Sequence, residues 1–130
     1  MDFVSRANQV PVDPRWMIEV YQRTGFAHDD PAAMDKQMGA IVEVLQTAQL
    51  DHDERSMAAA SVSFRLEALG RLVLAVRKHR WEVPAPGRGN IPPETLAECA
   101  CEQPLIVHQG KPAFDPSSFG DCLRKKLGAG

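Results

Sequence analysis

The chain has 130 residues, a formal net charge of −2, and a composition of 44% hydrophobic and 25% charged residues. This balance is that of an ordinary globular protein and argues against the disordered and fibrous classes. The longest uninterrupted apolar run, Leu72 to Val76, has five residues. A membrane-spanning helix needs roughly 18, so we expect no membrane partner.

The length is that of one domain, so we expect a single domain over residues 1–130. We divide it into a helical core at 13–81, a Pro- and Gly-rich linker at 82–93 and a small C-terminal module at 94–128. The predicted fold class is mainly α: an antiparallel helical hairpin or small helical bundle, with a Pro-rich arm and a helix-strand-helix module at the C-terminal end.

Asp-Pro pairs mark three expected helix starts: Asp13-Pro14, Asp30-Pro31 and Asp115-Pro116. The carboxylate can accept a hydrogen bond from an unpaired backbone N–H, and proline at the first helical position gives up an N–H that has no partner there. The first of these helices should end at Gly25, because glycine readily adopts the left-handed conformation that closes a helix.

Two helices with matching apolar seams are expected at 31–49 and 54–80. Each seam has the 4-3-4-3 spacing of a heptad pattern, with Met34, Met38, Ile41, Leu45 and Ala48 in one and Val62, Leu66, Leu69, Val73 and Val76 in the other. Joined by a short polar segment, they predict an antiparallel hairpin. The second helix carries further apolar residues beside its seam, so it should also contact a third element or another protein chain.

The C-terminal module is expected to begin with a short helix from Pro93 to Cys101. A brief strand at 105–107, a turn at Gly110-Lys111 and a returning strand at 112–114 should follow. A final helix from Asp115 should close at Gly128.

Three cysteines and no secretory signal in the first residues predict reduced thiols and a cytoplasmic location. The residues with zinc-ligand chemistry are Cys99, Cys101, His108 and Cys122. Cys99 and Cys101 would project about 200° apart on one helix, so we favour a packing role for them and expect no metal or other cofactor.

Two His-Asp segments, 28–30 and 51–53, are typical of metal-dependent hydrolases. A helix of 18–20 residues would hold them nearly 30 Å apart, at roughly 1.5 Å per residue. We therefore expect Asp30 and Asp53 to act as helix caps instead.

A basic cluster at the end of the second long helix is the candidate nucleic-acid site. Its members are Arg71, Arg77, Lys78, Arg80, Trp81 and Arg88. Such a cluster can contact phosphates while the aromatic ring stacks on a base, but cations at a helix C-terminus also simply offset the helix dipole. Charge is uneven along the chain, since residues 1–54 carry a net −6 and residues 55–130 a net +4.

No nucleophile motif or phosphate-binding glycine loop is present, so an enzyme is the less expected class. We expect a small bacterial-type cytoplasmic accessory or regulatory protein that binds another macromolecule, most readily a protein, through apolar helix faces. Homo-oligomers are possible. The alternatives are a nucleic-acid-binding subunit that uses the basic cluster and, third, a zinc-containing or metal-dependent hydrolytic protein.

Overall fold

A computed structural model describes residues 2–27, 30–79 and 93–128. Within these residues the chain forms six helices and one two-stranded antiparallel sheet. The elements are α1 Asp2–Gln9, α2 Pro14–Thr24, α3 Pro31–Gln46, α4 His52–His79, α5 Pro93–Glu102, β1 Ile106–His108, β2 Lys111–Ala113 and α6 Pro116–Lys126. The mainly-α prediction is confirmed. The predicted linker lies outside the described residues except for its last position, and no described helix has the length and apolar character to cross a bilayer.

Aspartate caps begin α2, α3, α4 and α6. All three Asp-Pro predictions are confirmed. The carboxylates of Asp13, Asp30 and Asp115 each accept backbone N–H bonds from the first turn of α2, α3 and α6. The cap of α4 is Asp51 rather than the expected Asp53. Its carboxylate accepts the N–H of Glu54 at 2.8 Å while the Glu54 carboxylate accepts the N–H of Asp51 at 3.0 Å. This reciprocal capping box starts α4 at His52, two residues earlier than predicted.

Helix α4 is the central element, in contact with α1, α2, α3, α5 and β2. Of its predicted seam residues, Val62, Leu66 and Leu69 are buried, while the side chains of Val73 and Val76 lie outside the described residues. The additional contacts expected for this helix are supplied by α1, which the sequence pattern did not predict, and by the C-terminal elements. Buried residues from α1 through α6 form one continuous cluster, so the C-terminal module packs onto the helical core.

The seam predicted for α3 is only half right. Ile41 and Leu45 are buried, whereas Met34 and Met38 are 38% and 40% exposed. Relative to the predicted seam, the helix is rotated so that Gln37 lies on its buried side. The Gln37 side-chain amide donates there to the Gly25 carbonyl at 2.9 Å. A polar residue that packs inward through one backbone hydrogen bond cannot be found by counting apolar spacing.

The C-terminal elements lie within one or two residues of their predicted positions. Helix α5 packs against α2 and α6, and β2 packs against α4. The hairpin turn falls at Gln109-Gly110 rather than Gly110-Lys111, since His108 pairs with Lys111. Both turn residues have positive φ, 54° and 76°, as the tight turn of a two-residue hairpin requires.

Two glycines should respond in opposite directions to the same substitution. Gly39 lies inside α3 with open space around its added Cβ, so Gly39→Ala should stabilise the protein by about 0.5–1 kcal/mol. Gly25 ends α2 at φ 65° and ψ −156°, a region that L-residues rarely adopt, so Gly25→Ala should cost about 1–3 kcal/mol. Chemical denaturation of both variants checks this, and equal effects would contradict the assigned backbone.

Candidate functional site

The predicted basic cluster is only partly within the described residues. The Arg71 guanidinium forms an ion pair with Glu67 on the same helix, at 3.1 Å. Arg77 and Lys78 belong to the last turns of α4, but their side chains are outside the described part of the chain, as are Arg80, Trp81 and Arg88 entirely. Arg71 is therefore the one member of the cluster whose side chain lies in the described part of the chain.

The cysteines depart from the expected reduced state. Packing of α5 against α6 places the Cα atoms of Cys99 and Cys122 6.0 Å apart, and a disulfide joins the two residues. Cys99 is fully buried. The expectation of three reduced thiols is wrong in this structure because helix packing, which cysteine spacing does not reveal, makes the pair adjacent. Two of the four candidate zinc ligands are thereby bonded to each other and present no thiolate.

The other two candidate ligands do not form a metal site either. Cys101 is a free cysteine whose Sγ lies 3.5 Å from the Met17 sulfur. Burial raises its pKa to about 12, so it stays a neutral thiol near pH 7, a poor ligand and nucleophile. His108 is exposed in β1. Among the described residues, no three His, Cys, Asp or Glu side chains are grouped to hold a metal ion.

The two His-Asp segments supply helix caps where the structure describes them. His28 and Asp29 lie outside the described residues, while Asp30 and Asp51 serve as the caps of α3 and α4. The whole of α3 separates the two caps along the chain.

Arg65 is the residue that the sequence analysis missed. It lies in α4 and is only 3% exposed. Its Nη1 donates to the carbonyls of Ala100 and Gln103, at 2.7 and 2.9 Å, at the end of α5. Its Nε donates to the Ser61 hydroxyl at 3.1 Å. The guanidinium thus donates to carbonyls at the C-terminal end of α5, which a helix end leaves without intrahelical partners.

The network continues from Arg65 into α1 and the start of the sheet. The Ser61 hydroxyl donates to the Ala7 carbonyl at 3.1 Å. Asn8 accepts the backbone N–H of Leu105 at 2.7 Å and donates to the Leu105 carbonyl at 3.0 Å. Three segments distant in sequence, at residues 7–8, 61–65 and 100–105, are therefore tied together through polar groups. One sequence feature marks this side of α4: Ala58, Ser61, Arg65 and Ala68 follow one another at helical spacing beside the apolar seam, with two small residues and two polar ones among them.

A cleft of about 350 Å³ opens beside this network. It is lined by residues 8–11 at the end of α1, by Arg65, and by residues 101–104 at the end of α5. Burial lowers the pKa of the Arg65 guanidinium, but arginine remains protonated at neutral pH. A positive charge therefore lies beside the cleft.

A second surface feature is the exposed apolar face of α3. Met34, Met38 and Val42 follow one another at four-residue intervals and are 38%, 40% and 43% exposed. Side chains at this spacing lie along one side of a helix. We call these three residues the α3 face.

Comparison with protein-family models, with curated proteins and with solved structures found no match.

Replacing Arg65 should destabilise the fold strongly. Arg65→Met removes the partners of the Ala100 and Gln103 carbonyls, and we expect a loss of about 2–5 kcal/mol in the free energy of unfolding. Arg65→Lys should not restore stability, because one ammonium cannot reproduce the planar fork. Arg15→Met is the matched control, since that side chain is 86% exposed and should cost less than about 1 kcal/mol. Denaturation curves showing similar losses at both positions would contradict the role given to Arg65.

Alkylation tests the disulfide by counting the cysteines that are free to react. Alkylation of the denatured, unreduced protein should modify one of the three cysteines, Cys101, because Cys99 and Cys122 are bonded. Reduction should then lower the free energy of unfolding by about 3 kcal/mol, because the disulfide spans 23 residues and restricts the unfolded chain while it is intact. Mass spectrometry after alkylation is the measurement. Three modified cysteines before reduction would show that the bond does not form.

Proposed function

We propose that this protein is a small accessory or regulatory protein that binds another protein through the α3 face. The supporting observation is the continuous exposure of Met34, Met38 and Val42 along a helix whose adjoining side is packed in the core. Adjacent exposed apolar side chains are typical of interaction surfaces. Methionine suits such a surface because its flexible thioether adapts to the shape of a partner.

Charge around the α3 face indicates the kind of partner. Asp35 is exposed next to Met34, while Glu43 forms an ion pair with Arg23 of α2 at 3.0 Å and Lys36 is the one cation of α3. Residues 1–54 as a whole carry a net −6. A partner with an apolar groove or helix surrounded by basic residues would be complementary to this region. A symmetric dimer through α3 would bring like carboxylates near each other, so the surface favours a different protein over a second copy.

The cytoplasmic location belongs to the same proposal, but the Cys99–Cys122 disulfide weighs against it. Persistent structural disulfides are rare in reducing compartments. The alkylation experiment, repeated on protein trapped directly in its native cells, decides between a reduced cytoplasmic pool and an oxidised one. For the nucleic-acid alternative, no contact of the described residues provides support, since Arg71 is engaged with Glu67.

A charge placed in the α3 face should disrupt partner binding selectively. Met38→Glu would bury a carboxylate in an apolar interface, so we expect the affinity for the partner to fall by at least roughly tenfold. Met38→Leu should retain binding. Val107→Glu in β1 is the matched control, because Val107 is apolar and 38% exposed but lies on the hairpin. The measurement is recovery of the partner from native cells, followed by the Kd of the purified pair.

Two results would contradict this proposal. One is an equal loss of the partner with Met38→Glu and Val107→Glu, which would place the interface elsewhere. The other is tight binding to DNA or RNA that weakens steeply with salt and disappears when Arg77, Lys78 and Arg80 are all changed to Ala, since phosphate contacts release counterions. That outcome would support the nucleic-acid alternative.

A further inference from the structure

The cleft beside Arg65 holds a positive charge without an ionic partner. Arg65 forms an ion pair with none of the described carboxylates, and all its hydrogen bonds go to neutral oxygens. The α5 carbonyls offset part of its charge, because they form the negative end of a helix dipole. A buried charge is ordinarily paired with an opposite one, so the lack of a carboxylate here requires a reason.

The hydrogen-bonding capacity of the guanidinium is also incomplete. Nε and Nη1 are occupied by Ser61 and by the two α5 carbonyls. Nη2, which has two N–H groups, makes a single long contact of 3.5 Å to the Asn8 side-chain oxygen. Hydrogen bonds of this kind are ordinarily 2.7–3.2 Å long. Asn8 and Arg65 both line the cleft, and Nη2 is the atom of Arg65 that contacts Asn8. We therefore take Nη2 as the donor available to a ligand in the cleft.

We propose that this cleft binds a small monocarboxylate, whose oxygens accept a charge-assisted hydrogen bond from Nη2 of Arg65. The site lies apart from the α3 face and does not depend on the function proposed for that face. The cleft volume of about 350 Å³ is in the range of small-molecule sites. A carboxylate there would complete both the charge and the hydrogen bonding of the guanidinium.

The other lining groups restrict the class of anion. The side chains of Gln9 and Gln103 supply neutral amide donors, while Val10, Pro11 and Pro104 supply apolar surface. Glu102 also lines the cleft, and its carboxylate is held by Lys126 at 2.6 Å. This carboxylate and the α5 carbonyls would repel a phosphate dianion more strongly than a singly charged carboxylate. A short apolar group attached to the carboxylate matches the proline and valine surface.

The test compares thermal unfolding of the full chain in sodium propionate, sodium phosphate and sodium chloride at equal ionic strength and pH 7. A ligand that binds only the folded state raises the unfolding temperature. We expect a saturable rise in propionate beyond that in chloride, with shifts in the Asn8 and Gln103 side-chain amide NMR signals. An equal rise in chloride and propionate would overturn the proposal, and a larger saturable rise in phosphate would overturn the monocarboxylate assignment.

A pair of variants makes the test specific to the cleft. Gln103→Glu is nearly isosteric and places a carboxylate beside the guanidinium, while leaving intact the backbone carbonyl that Arg65 uses. It should weaken propionate binding by at least roughly tenfold. Gln22→Glu makes the same charge change on the exposed surface of α2 and should leave binding unchanged. Undiminished propionate binding by folded Gln103→Glu would contradict the site, because that variant keeps every other lining residue.

Discussion

The hydrogen bonds of one buried guanidinium hold the end of α5 against the central helix of this chain. Arg65 cannot lose its proton at neutral pH, and its burial is tolerable only while Ser61, Ala100 and Gln103 supply acceptors. Those acceptors come from α4 and α5, and Asn8 extends the network to α1 and the start of the sheet. The position of the C-terminal elements therefore depends on a polar constraint as well as on the apolar core.

This constraint explains why the C-terminal elements do not form a separate unit. Phe119 and Leu123 of α6 and Leu105 before β1 belong to the same buried cluster as Val62 and Leu66 of α4. Apolar contact alone is non-directional and tolerates sliding of one helix along another. Hydrogen bonds to named carbonyls at the end of α5 fix its position along α4, and the bond between Cys99 and Cys122 then fixes α6 relative to α5.

Local signals in the sequence predicted most of the elements but not how they pack. The Asp-Pro caps act within a few residues, so Asp13, Asp30 and Asp115 could be assigned directly. Helix α1 has no such cap signal, and its position depends on contacts with α4. The Arg65 network and the disulfide join residues far apart in sequence, and no sequence pattern identifies which residues are partners. A buried arginine is also indistinguishable by composition from the solvated arginines around it.

The surface available to a partner lies on α3 rather than on α4. The wider apolar face of α4 predicts contact with a third element or with another protein chain. In the described part of α4, α1, α5 and β2 supply that contact. Helix α3, with Gln37 turned inward, instead exposes Met34 and Met38, two residues of its own heptad pattern. The same methionines that resembled a hairpin seam are thus more than a third exposed. Gln37, through its hydrogen bond to the end of α2, shares the buried side of α3 with Ile41, Val44 and Leu45, and this orientation leaves Met34 and Met38 accessible to a partner.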